Sequence, residues 1–105
     1  MSVFGSGFLD APGLPFVGEL AGAVAATQFP DIPCRLAKLK AQADNAGAVY
    51  VGGSGVTKPD GTTDTTTGYE LDASDETGWL RIDNLNRLYR ICDNAGDDLL
   101  YLVLR

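Results

Sequence analysis

The feature that most constrains this chain is how often it is interrupted. Past residue 33 no apolar run is long enough for a stable helix, and each is closed by Gly, Pro, Asn or Asp. Cys34 to Ala41 alternates, with Arg35, Ala37, Leu39 and Ala41 on one side and Cys34, Leu36, Lys38 and Lys40 on the other. Ala43 to Gly47 reads as a turn, Val49-Tyr50-Val51 as a short strand, and Gly52-Gly53-Ser54-Gly55 as a bulge or tight bend before Val56-Thr57. Lys58-Pro59-Asp60-Gly61 has the composition of a type I turn, and Thr62 to Thr67 that of a polar loop. Tyr69-Glu70-Leu71, Trp79 to Ile82, Leu88 to Cys92 and Leu99 to Leu104 complete the series, with an acidic turn at Asp72 to Glu76. Six or seven short strands at this spacing predict an all-β fold, a small antiparallel β-sandwich or barrel of jelly-roll-like type. Trp79 is expected in its core beside Leu80 and Ile82.

At 105 residues the chain has the length of one domain, able to bury roughly 65% of its unfolded surface. The expected division is an extended N-terminal arm, residues 1–16, and a single β domain, residues 17–105. In the arm, Gly5, Gly7, Pro12, Gly13 and Pro15 interrupt Val3, Phe4, Phe8, Leu9, Leu14 and Phe16, so no strand or helix period survives. Ordering such a segment costs on the order of 16–32 kcal/mol, at about 1–2 kcal/mol per residue. Packing on its own domain or on a neighbouring subunit has to offset that. Its phenylalanines favour the neighbour, which makes Val3, Phe4, Phe8, Leu9, Leu14 and Phe16 candidate interface residues. Val17 to Thr27 is ambiguous: alanines favour helix, Gly18 and Gly22 oppose it, and a strand is expected through Ala23 to Gln28. Leu99 to Leu104 is apolar on both faces, as a central strand or a partner-facing strand would be. In the second case Tyr101 and Val103 form the self-contact of a symmetric oligomer, a trimer being the simplest on a local three-fold axis.

The formal charge is −6, and the basic residues are scattered rather than clustered, so nucleic acid is not an expected partner. No apolar stretch approaches the roughly 18 residues of a membrane span, and no Lys or Arg precedes Arg35 to make a secretory n-region. The chain has no histidine, which removes Ser-His-Asp and Cys-His nucleophile pairs and the commonest zinc ligand. No catalytic residues, cofactor or metal are expected. Gly53-Ser54-Gly55 lacks the spacing of a phosphate loop, and Asp72, Asp75 and Glu76 read as a solvated turn rather than a glycosidase pair. Calcium is the strongest of the weak alternatives, with Asp60, Asp64, Asp72, Asp75, Asp93, Asp97 and Asp98 in loops but no EF-hand pattern. Cys34 and Cys92 are either two buried thiols or one disulfide.

Two segments carry a resemblance. Asn45-Ala46-Gly47-Ala48-Val49-Tyr50-Val51-Gly52-Gly53-Ser54-Gly55-Val56-Thr57, followed by Asp60-Gly61 and Gly68-Tyr69-Glu70-Leu71, resembles a motif of small virion proteins of tailed phages. Ile82-Asp83-Asn84-Leu85-Asn86-Arg87-Leu88-Tyr89-Arg90-Ile91 is similar to a second segment of that family, and Asn94 to Asp98 with Leu99 to Leu104 match its closing turn and strand. The threonine loop Thr62 to Thr67 is longer than the family's connection, and the arm lies outside the match. The resemblance implies a structural protein on the phage particle. A capsid decoration (cement) protein on the major capsid protein lattice, made in the bacterial cytoplasm and located on the virion, is preferred because a small domain with an apolar arm suits bridging of neighbouring coat subunits. A tail or baseplate component is the alternative within that class. Outside it stand a carbohydrate-binding module, which needs Trp79, Tyr69 and Tyr50 on one exposed platform, and an enzyme accessory domain with a loop calcium site.

Overall fold

The computed structural model describes residues 15–59 and 67–105. Among these residues eight strands run in the order β1 Pro15–Leu20, β2 Thr27–Gln28, β3 Leu36–Ala41, β4 Val49–Gly52, β5 Tyr69–Leu71, β6 Glu76–Leu80, β7 Tyr89–Cys92 and β8 Leu99–Leu104, with a 3-10 turn at Leu85–Arg87. They form two four-stranded antiparallel sheets, ordered β1-β8-β3-β6 and β2-β7-β4-β5. In that order the first strand pairs the last, β2 pairs β7, β3 lies beside β6 and β4 beside β5, so the chain is a long hairpin rolled over on itself. This is the strand order of a jelly roll.

The core follows from alternation. In β3 the side chains of Ala37, Leu39 and Ala41 are fully buried, and their register partners in β8 are Val103, Tyr101 and Leu99. Val49, Val51, Leu71 and Cys92 meet them from the second sheet, and Phe29 and Leu85 close the ends. At roughly 1.5–3 kcal/mol for each large apolar side chain fully buried, this one interior is the main source of stability. Cys34 and Cys92 are both free and buried, and burial raises both thiols above their ordinary pKa.

Two expectations about the first strands are corrected. The strand expected at Ala23 to Gln28 is confined to Thr27–Gln28, and Pro15–Leu20 is the main N-terminal strand. Phe16 therefore belongs to the sheet, opposite Val103, rather than to an arm. Pro15 is tolerated because it is the first residue of an edge strand, where its missing N–H breaks no ladder. Gly18 is required because the Tyr101 ring and hydroxyl lie where a Cβ would stand.

Trp79 is also corrected: it is 40% exposed, on the outside of the sheet. The cause is a β-bulge. Lys40 faces Glu76 and Lys38 faces Trp79, so β6 holds one residue more than β3 across that interval. Gly78 absorbs it with φ +76°, and the Thr77 hydroxyl accepts from the Leu39 N–H. Without the extra residue, Trp79 would have fallen opposite Ala37 and pointed inward. Nothing stands within 4 Å of a Cβ built on Gly78, so only the backbone conformation opposes a side chain there. Gly78→Ala is expected to lower stability by about 1–2 kcal/mol in urea unfolding, with the tryptophan emission maximum unchanged.

Candidate partner-binding face

The two outer faces of the sandwich differ. On the sheet β2-β7-β4-β5, the chain covers its own face. After β4 it turns at Gly52 to Gly55, with the Val56 N–H donating to the Gly53 carbonyl at 3.0 Å, and returns over the sheet. Val56 packs there with Ala48 and Tyr50, flanked by Tyr89 and Ile91, and Lys58 Nζ donates to the Cys92 carbonyl at 2.8 Å. A side chain at Gly68 would meet Tyr50, Val56 and the Thr57 carbonyl, so glycine is needed where the chain passes back. Burial raises the Tyr50 hydroxyl above its ordinary pKa, with Asp93, Glu70 and Asp72 adding to the effect.

On the sheet β1-β8-β3-β6, no described segment covers the outer face. Register places Val17, Leu102, Lys38 and Trp79 in one row across the strands, and Glu19, Leu100, Lys40 and Glu76 in the next. Val17 is 64% exposed, and Leu36, Leu100 and Leu102 are partly exposed. Lys38 Nζ stands 5.5 Å from the Trp79 ring centroid and 3.0 Å from Glu76 Oε1. The stripe is thus apolar across β1 and β8 and passes into charged groups on β3 and β6.

This arrangement corrects the expected self-contact in β8. Tyr101 and Val103 point inward, Val103 with no exposure at all, and Tyr101 lies beside Phe16 at 6.2 Å between ring centroids. The outward residues of the strand are Leu100 and Leu102. Phe16 is 44% exposed on the inner side of edge strand β1. Val3, Phe4, Phe8, Leu9 and Leu14 lie outside the described residues. The aromatic platform is not assembled: Tyr50 is buried under Val56, Tyr69 is on β5 of the other sheet, and Trp79 is on the face of β6.

The acidic loops serve the fold. Asp97 is 1% exposed and its carboxylate accepts from the N–H groups of Ala46 and Gly47 at 3.0 Å and of Asn94 at 2.9 Å, and from Asn94 Nδ2. Burial alone would raise its pKa, but these donors outweigh it and hold the carboxyl below its ordinary value. Asn45 pairs with the Asp98 backbone in both directions, Asp93 accepts from the Ala48 N–H, and Asp98 from the Gly22 N–H. A Cβ on Gly47 would stand 2.7 Å from Asp93 Cβ and 2.8 Å from Asp97 Oδ2. The Asn45-x-Gly47 and Asn94 to Asp98 segments are therefore two halves of one clasp. Among the described residues no group of His, Cys, Asp and Glu is placed to hold a metal ion; Asp60 and Asp64 lie outside them. Asn84 has a similar structural role, its side chain accepting from the N–H groups of Ile32 and Asn86 and donating to Asp31.

At the opposite end a cleft of about 450 Å³ opens between the start of β3 and the chain leaving β6. Leu36, Ile82 and Leu104 give it an apolar floor, Cys34 borders it, and Arg35, Arg81 and Asp83 stand at its rim. Asp83 is held by Arg87 at 2.9 and 3.0 Å, a hydrogen-bonded pair that lowers the Asp83 pKa. Among the described residues, neither the Arg35 nor the Arg81 guanidinium has an acceptor. No family model matches the chain, and no curated protein or solved structure matches it.

Proposed function

We propose that this chain is a structural protein of a tailed-phage particle, a capsid decoration protein that seats the outer face of the β1-β8-β3-β6 sheet on the coat lattice. The observation that carries the reading is the asymmetry of the two faces. One is sealed by the chain's own Val56 segment, while the other presents Val17, Leu36, Leu100 and Leu102. Apolar side chains aligned on a rigid sheet suit a standing contact rather than turnover. A contact of about 800 Å² per partner is the usual size for a specific interface, and many symmetry-related copies would add their contributions. Jelly rolls also build viral capsid domains, which is support by analogy of fold only. The sequence resemblance supplies the phage assignment.

The test uses Val17→Glu and Leu102→Glu, neither of which touches the core cluster. Each is expected to keep its circular dichroism spectrum and a urea midpoint close to that of the parent. Each should also lose about 100-fold in affinity for purified particles lacking the protein, the effect of about 2.7 kcal/mol at a central interface position. Unchanged co-sedimentation with heads would remove the face from the contact. Label found on tails in electron micrographs would move the protein from head to tail.

A further inference from the structure

We infer that the open edge of β1 is a self-association site, which pairs antiparallel with β1 of a second copy about a two-fold axis at Gly18. The inference stands apart from the phage assignment, and its test needs no particle. It begins with the direction of the backbone. The Leu104 carbonyl accepts from the Arg35 N–H at 2.8 Å and the Asp98 carbonyl from the Gln42 N–H at 3.1 Å, so the even-numbered residues of β8 direct their backbone groups to β3. Leu99, Tyr101 and Val103 therefore direct theirs to β1, where their partners are Leu20, Gly18 and Phe16. Pro15, Val17 and Glu19 are left with backbone groups pointing away from the sheet. Among the described residues nothing pairs with that edge.

The edge lacks the features that protect its counterpart. β6, at the other side of the same sheet, carries a bulge and the Lys38–Glu76 ion pair. β1 runs unbroken for six residues with a single charge, Glu19, whose carboxylate accepts from Gln42 Nε2 at 2.6 Å and so leans over β8 toward β3. Phe16 and Val17 are exposed on opposite sides of the strand. A second copy of the same strand fits this edge best in one register. With Gly18 opposite Gly18, the Val17 N–H donates to the partner's Glu19 carbonyl and the Glu19 N–H to the partner's Val17 carbonyl. By symmetry every outward N–H of the pair then has an acceptor. Shifted one way, Glu19 falls opposite Pro15, which has no N–H to give. Shifted the other way, Glu19 faces Glu19, and Val17 falls opposite Ala21, whose carbonyl Arg90 already holds. The Gly18 register also sets Phe16 against the partner's Leu20. Tyr101 points to the same axis. It is 7% exposed, its hydroxyl lies beneath Gly18, and among the described residues that hydroxyl has no hydrogen-bond partner. Pairing at Gly18 brings the two hydroxyls under neighbouring strands about 4.8 Å apart, where a small ring rotation lets one donate to the other.

Sedimentation velocity of the full-length chain over a concentration series should show a monomer–dimer equilibrium. Val17→Pro removes an outward donor and leaves the β1–β8 ladder whole, so it should raise the dissociation constant about tenfold or more with an unchanged circular dichroism spectrum. Cross-linking reads the register. A mixture of Val17→Cys and Glu19→Cys chains, treated with a short bifunctional thiosulfonate and mapped by mass spectrometry, should give the mixed 17–19 product in excess over either self-product. If Val17→Pro fails to fold, the cross-link decides alone. A chain still monomeric at about 1 mM, weaker than specific pairing allows, overturns the inference. So does a trimer, an excess of self-products, or a folded Val17→Pro chain that dimerises like the parent. Loss of the dimer in Leu102→Glu would place the contact on the outer face of the sheet and overturn it as well.

Discussion

Asp97→Ala is expected to lower the unfolding free energy by about 4 kcal/mol, a large share of the roughly 5–15 kcal/mol available to a domain. The side chain itself contributes little apolar area. What is lost is the acceptor for the N–H groups of Ala46, Gly47 and Asn94, which lie in loops with no ladder to supply another. These bonds are partly buried, and hydrogen bonds to an ionised acceptor, at about 1.5–3 kcal/mol each, are the strong ones. Asp97→Asn keeps the shape but replaces one acceptor oxygen with a donor, so it should fall between the parent and the alanine variant. The pH dependence has a definite sign. The native carboxyl lies below its ordinary value, so its contribution is fully present above the unfolded pKa of about 3.9. It is lost as pH falls through the lowered native value. Urea unfolding between pH 6 and 2 should show this acid limb in the parent and a flatter one in Asp97→Asn. Equal slopes in the two proteins would mean that Asp97 is not the group being titrated.

The clasp also explains which parts of the sequence could be read in advance. Asn45, Gly47, Asn94 and Gly96 are recognisable as turn formers because turn chemistry is local. That the two turns bind each other across 45–53 positions is not local, and no pattern of spacing announces it. The strands with polar residues on one side, such as Cys34 to Ala41, were legible because alternation marks the buried face: Ala37, Leu39 and Ala41 are inside. β8 is different. Leucines occupy its outer positions and Tyr101 and Val103 its inner ones, so hydrophobicity alone cannot tell the faces apart, and the two residues expected to face a partner are the buried ones. Trp79 was misplaced for a related reason, since the extra residue at Gly78 reverses the parity of the strand after it. β1 was obscured by Pro15 and Gly18, both of which argue against a strand until the edge position and the Tyr101 ring are known. The composition of the outer face of the β1-β8-β3-β6 sheet is not legible in the sequence because it draws single residues from four strands distant in sequence.

Arg90 is the second residue whose loss should be severe, although in the sequence it is one of several scattered cations. It is 8% exposed, and it shares the inward face of β7 with Cys92. Nε and Nη2 both donate to the Ala21 carbonyl at 3.2 Å, Nη1 donates to the Gln28 carbonyl at 3.4 Å, and the guanidinium lies 5.4 Å from the Phe29 ring centroid. Burial pulls its pKa down from the ordinary value, yet an arginine remains charged at any pH a protein survives. Its position explains its use. β2 has only two residues, so the crossover from β1 has few ladder bonds to hold it, and the fork of Arg90 ties both ends of that crossover to β7. Arg90→Ala should cost about 3 kcal/mol, because it orphans two carbonyls and opens a cavity under Phe29. Arg90→Lys should cost about 2 kcal/mol, since a single ammonium lacks the planar fork that spans both acceptors. Amide hydrogen exchange separates this from a general loss of packing. Both variants should expose the Phe29 and Cys92 amides, bonded to the Leu88 and Ala23 carbonyls, before those of β3 and β8. If β3 and β8 exchange in step with them, the crossover is not a separate unit and Arg90 acts only as part of the common core.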